Sequence, residues 1–143
     1  PESSMPDPKL VETCQKIAQE QGSEVLVTSD VEQATKDANI LYTDIWVSMG
    51  EPVSLWEQRI KELSPYQINA EVMSHAADNA IFMHCLPAFH DTHTTVAQEI
   101  EKKFGLSEME VTNEVFESEA SKVFDEAENR MHAIKAIVLA TLK

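Results

Sequence analysis

Apolar positions along this chain follow two rhythms. Leu10, Val11, Cys14, Ile17 and Ala18 recur at helical spacing. Asp7 stands where an N-cap belongs, Pro8 suits the first helical position, and Gly22 is placed to end the helix. The β-branched run EVLVT, residues 24–28, then predicts a strand, and Ser29 with Glu32 has the capping-box spacing that opens a second helix. NILYTDIW (39–46) and NAIFMHC (79–85) read as strands, and SLWEQRIKEL and NAEVMSHAAD between them as helices. TTVAQEIEKKFG predicts another helix and MEVTNEVF (109–116) a fourth extended segment. A long closing helix, about 119–142, carries Ala127, Met131, Ile134 and Val138 on one face.

Strands alternating with helices predict an α/β fold, a parallel sheet flanked by helices on both faces. Ligands of such sheets bind beyond the carboxyl ends of strands. Asp44 and Ser48 follow one predicted strand, and His84 and Cys85 end another. Only three glycines are present, Gly22, Gly50 and Gly105, so neither G-x-G-x-x-G nor a P-loop can be built, and no nucleotide cofactor is expected.

A length of 143 residues with 43% apolar content suits one globular domain with a useful core. Lys and Arg number 11 against 25 Asp and Glu, a net charge of −14. A surface that acidic repels nucleic acid and anionic lipid, while a local pocket can still hold a small anion. Cys14 and Cys85 are too few and too far apart for a disulfide framework, which favours a reducing, cytoplasmic setting; Cys14 is expected in the core.

Three stretches carry candidate chemistry. In HCLPAFHDTH, the residues His84, Cys85, His90, Asp91 and His93 could ligate zinc, but their spacing fits no familiar zinc pattern, and no metal is expected. A nucleophilic Cys85 needs a base, and on a continuing strand His84 points to the opposite face. The plain reading is a buried strand end. In TDIWVSMGEP, Asp44 with Ser48 suits an ammonium, although both residue types are common in turns. In FDEAENRMHAIKAIVLATLK, Arg130 is either a donor fork for a carbonyl or phosphate oxygen, or half of an exposed i, i+4 pair with Glu126.

Together LYTDIWVSMGE, MHCLP and VFDEAENRMHAIKA resemble the second, Rossmann-like domain of ornithine carbamoyltransferase, almost throughout the chain and in the family's order. The resemblance implies transfer of the carbamoyl group from carbamoyl phosphate to the side-chain amine of L-ornithine, giving citrulline and phosphate in arginine metabolism. It assigns Asp44, Ser48 and Met49 to the amino-acid end of ornithine. Cys85 would be the catalytic residue beside the amine; Cys85, Leu86 and Arg130 would hold the carbamoyl group; the thiolate of Cys85 could accept a proton or the side chain could simply orient the amine. A cis Leu86-Pro87 bond is expected, as is convergence of Asp44, Ser48 and Cys85 at one sheet edge with Arg130 near.

The family's S-T-R-T and H-P-x-Q segments for carbamoyl phosphate do not occur here. Residues 1–143 are therefore expected to form an ornithine-binding domain lacking its first strand-helix-strand segment, inactive alone, and part of a trimer-based homo-oligomer when joined to an N-terminal domain. A non-catalytic amino-acid-binding or regulatory module with the same fold stands as the alternative.

Overall fold

The computed structural model describes residues 1–48 and 50–142, the Val53 side chain excepted. The elements run α1 (Pro8–Glu20), α2 (Val31–Thr35), β1 (Ile40–Thr43), α3 (Trp56–Leu63), α4 (Ala70–Ser74), β2 (Ile81–His84), α5 (Thr95–Phe104), α6 (Asn113–Phe116) and α7 (Val123–Thr141). β1 and β2 pair in parallel, with Ile40 opposite Ile81 and Thr43 opposite His84. This is the expected α/β arrangement, reduced to a two-stranded ladder.

Local chemistry sets the helix starts. Asp7 Oδ1 accepts the N–H groups of Lys9 (2.8 Å) and Leu10 (3.3 Å) ahead of Pro8. Gly22, with φ +69°, takes the left-handed turn just beyond α1. The cap of α2 is Asp30 rather than the expected Ser29: its Oδ1 accepts the Gln33 N–H at 3.0 Å from an extended backbone.

Two strand expectations fail for want of partners. Residues 24–28 form no ladder among the described residues, and Leu26 and Val27 are exposed. β-branched residues favour extension, but a strand exists only where a neighbour takes its backbone hydrogen bonds. Residues 109–116 divide. Val111 bridges to Ile68, through Ile68 N–H to Glu110 O (2.9 Å) and Thr112 N–H to Ile68 O (3.0 Å), and the chain then turns into α6. The closing helix likewise begins later than expected, because residues 120–122 lie along β2: Phe82 N–H donates to Ala120 O and Lys122 N–H to Phe82 O, both 2.9 Å.

One core cluster joins Leu41, Ile68, Val72, Phe82, Val111, Val115, Phe116 and Val123 beneath the strands. A second gathers Trp46, Val47, Ile100 and Met109, so the chain leaving β1 is pinned immediately beyond the site region. Outside these clusters much apolar surface is open. Leu10 and Ile17 are exposed and Cys14 is half-buried, not core; on the predicted α1 face only Ala18 is buried. In α7 Val123 is buried, while Met131, Ile134 and Val138 are exposed. Among the described residues no helix is long and apolar enough to cross a membrane.

Phe82 is fully buried within the first cluster, and its backbone N–H and carbonyl both bond to the segment 120–122. Phe82→Ala is expected to lose about 3–5 kcal/mol in chemical denaturation, enough to unfold a marginal domain. A loss below about 1 kcal/mol would contradict this account of the core.

Candidate functional site

The register that places Thr43 opposite His84 brings the next residues, Asp44 and Cys85, side by side at the carboxyl end of the ladder. Cys85 Sγ donates to Asp44 Oδ1 at 2.9 Å, and the same oxygen accepts the Ile45 N–H at 2.7 Å. Cys85 is exposed as a residue, yet partial desolvation of its sulfur, then the bond to Asp44 and the carboxylate charge, push its pKa up to about 11. At neutral pH the group is a thiol that donates. The proton-accepting thiolate considered from the sequence is disfavoured in this arrangement, because the sulfur is partly desolvated and a second negative charge would face Asp44.

The loop after Cys85 is held from below. Leu86-Pro87 is cis, as expected, and Leu86 has φ +41°, a left-handed conformation rare for a bulky side chain. His84 lies fully buried on the opposite face from Cys85. Its Nδ1 accepts the Leu86 N–H at 3.0 Å, which leaves the ring proton on Nε2 to donate to Glu110 Oε1 at 3.2 Å. Glu110 Oε1 also accepts the Phe89 N–H (2.7 Å), and Met109 N–H donates to Phe89 O (2.8 Å). Glu110 is 0% exposed, and its other carboxyl oxygen has no partner among the described residues. The sequence reading gave Glu110 no part. A lone acidic residue inside the apolar stretch of residues 109–111 was the available signal, since carboxyls are rarely buried without a task.

A cavity of about 320 Å³ opens beside these groups, lined by Tyr42, His84, Cys85, Glu126, Asn129 and Arg130 among others. Arg130 therefore faces the space next to Cys85. It makes no ion pair with Glu126, the i, i+4 partner that its sequence spacing allowed. Glu126 Oε1 instead accepts the Tyr42 hydroxyl at 2.9 Å, across 84 positions of chain. That bond, with smaller contributions from desolvation and nearby charge, pushes the Tyr42 phenol up to about 12.

Ser48 is not brought to this cavity. It is exposed in the turn beyond β1, where its N–H donates to Glu51 Oε2 (2.7 Å) and its carbonyl accepts the Glu51 N–H (3.1 Å). Met49 lies outside the described residues. Of the zinc candidates, His84 is buried on Glu110; His90 stacks on Phe116 at 3.6 Å and its Nδ1 lies 3.8 Å from Asp91 Oδ2, which the Nδ1 of the 91% exposed His93 approaches at 3.0 Å.

Two pH effects follow for Cys85. Its folded-state pKa is raised from 9.0 to about 11, so its contribution to stability is present below about pH 9 and is lost as pH rises towards 11. In a Cys14→Ser background, alkylation of Cys85 at about pH 8 should be slow, and Asp44→Asn should speed it roughly three- to tenfold by freeing the thiolate. Equal rates with and without the Asp44 carboxylate would contradict the assigned cause.

The family model of the aspartate/ornithine carbamoyltransferase Asp/Orn binding domain matches residues 1–141. A catabolic ornithine carbamoyltransferase of Treponema denticola is 61% identical over 142 residues, covering 99% of this chain and 42% of that protein. Ornithine carbamoyltransferase 1, catabolic, of Staphylococcus epidermidis is 52% identical, covering 99% and 43%. The solved ornithine carbamoyltransferase of Pyrococcus furiosus superposes with a TM-score of 0.77 at 36% identity, over 100% of this chain and 41% of that one. The chain thus spans less than half the length of these relatives. With its motifs in order and its fold shared, this chain belongs to the aspartate/ornithine carbamoyltransferase family, as a match to its Asp/Orn binding domain.

Proposed function

We propose that residues 1–143 form the ornithine-binding part of an ornithine carbamoyltransferase. The observation that carries this reading is the contact of Cys85 Sγ with Asp44 Oδ1 at a shared strand end, beside a cavity that Arg130 also lines. The names of the relatives support ornithine as the acceptor.

In this reading Asp44, Ser48 and Met49 hold the amino-acid end of ornithine. Asp44 offers a carboxylate to an ammonium, and the exposed Ser48 turn closes towards it when ligand arrives. The side-chain amine, with an ordinary pKa of about 10.4, must be neutral to attack. Its lone pair adds to the carbonyl carbon of carbamoyl phosphate, the carbon–oxygen bond to phosphate then breaks, and the surplus amine proton leaves with the phosphate. Cys85, a thiol at neutral pH, orients the amine by hydrogen bonding rather than removing its proton. Leu86 offers its backbone carbonyl to the carbamoyl end, and Arg130 stabilises negative charge developing on the carbamoyl oxygen.

The relatives' greater length supports a further part of the proposal: a separate carbamoyl-phosphate domain must join this chain for turnover. A homo-oligomer built on trimers is proposed on the family resemblance alone. A reducing, cytoplasmic setting is proposed on the two free cysteines.

The test is a chimera in which this chain replaces the matching segment of the Treponema denticola relative. Citrulline should form from ornithine and carbamoyl phosphate with the chimera and not with the 143-residue chain alone. Arg130→Gln should lower kcat by about 10²- to 10³-fold, the usual scale for losing one donor to a developing oxyanion. Ornithine binding without citrulline would favour a non-catalytic amino-acid-binding module.

A further inference from the structure

We infer that Tyr42 and Glu126 are positioning residues for Arg130: the bond from the Tyr42 hydroxyl to the Glu126 carboxylate fixes the turn of α7 that carries the guanidinium beside Cys85. The role of Arg130 rests on the carbamoyl-transfer reading, whereas the tether itself does not.

Three observations lead here. First, α7 is attached only at its start. Val123 is buried, Glu126 is the last residue of the helix that is not exposed, and every described position from Ala127 to Leu142 is open. Lys122, just before the helix, is tied to β2 through its backbone, so Glu126 is the last anchored point before Arg130. Second, Arg130 lies four residues further on, about 6 Å along the axis and on the same face. A small pivot at Glu126 therefore moves the guanidinium directly. Third, Tyr42 is not there to fill the core. It is 54% exposed on β1, and its hydroxyl makes the one side-chain hydrogen bond between β1 and α7 among the described residues.

The same bond settles a competition. Glu126 and Arg130 are spaced to pair with each other, which would draw the guanidinium back along its own helix. Holding Glu126 Oε1 on Tyr42 at 2.9 Å removes that geometry and leaves Arg130 turned to the cavity both residues line. The tether also spans the site's two halves. Tyr42 is two residues before Asp44 on β1, so the bond sets the arginine against the same strand that presents the carboxylate to Cys85. The phenol stays a donor throughout the neutral range, since Glu126 pushes its pKa up to about 12.

The experiment uses the chimera described above with Tyr42→Phe, Glu126→Gln, the double variant, and Tyr66→Phe as a control. Amide hydrogen exchange is read by mass spectrometry over residues 123–134, alongside steady-state kinetics. In Tyr42→Phe, exchange of that segment should rise, and kcat/KM for carbamoyl phosphate should fall about tenfold, the scale of one hydrogen bond to a charged acceptor. The double variant should be no worse than either single one, because both remove the same contact. Tyr66→Phe should change neither readout. Unchanged exchange in Tyr42→Phe overturns the tether, whatever the kinetics do. Faster exchange with unchanged kinetics overturns the positioning of Arg130. A parent chimera that makes no citrulline, while its exchange still responds to Tyr42→Phe, sinks the transferase reading and with it the role of Arg130, but keeps the tether.

Discussion

The parallel pairing of β1 with β2 is the constraint on which the site depends. Side chains alternate across a strand, so a shift of one residue would exchange the buried and open faces of β2. In the observed register Phe82 and His84 point into the core, and Cys85 emerges next to Asp44. Burying Phe82 and presenting Cys85 are one event. The apolar contacts that stabilise the cluster around Phe82 also hold two chemically active groups from distant parts of the chain within 2.9 Å of each other.

Beneath this edge a polar assembly does what apolar packing cannot. A loop that leaves a buried strand must satisfy its backbone N–H groups. Here His84 takes the Leu86 N–H and Glu110 takes that of Phe89, while the His84–Glu110 contact joins the two supports. A buried carboxyl is costly unless it is hydrogen-bonded, and Glu110 offsets part of that cost at Oε1, which takes the Phe89 N–H of the loop and the His84 ring N–H. Removing either side chain would strand buried polar groups, so the assembly is fixed in geometry as well as in composition. The positive φ of Leu86 persists because its surroundings over-determine it.

The remainder of the molecule is less closed. Leu10, Ile17, Leu26 and the outer face of α7 stay open to solvent, on a surface of strong negative charge. Apolar exposure on this scale marks surfaces suited to contact with other protein. The site occupies the better-packed half of this contrast: its strands and bracing loop are packed, whereas the helix that brings Arg130 is fastened only near its first turns.

Much was legible in the sequence because the deciding forces act within a few residues. The Asp7 cap, the Pro8 start and the Gly22 turn depend on local backbone chemistry, and the parallel α/β class follows from the order of helical and strand-like stretches. Asp44 and Cys85 could be assigned to one sheet edge because both end strands of the same sense. What tertiary structure alone decided were partnerships across long separations. No local rule says that residues 24–28 find no ladder neighbour, that residues 120–122 pair with Phe82 before α7 begins, or that Glu110 turns inward to His84. Glu126 makes the point most sharply. Sequence spacing offered it Arg130 one turn away, and the fold gave it Tyr42 from 84 positions distant, because β1 passes closer to its carboxylate than its own helix brings the arginine.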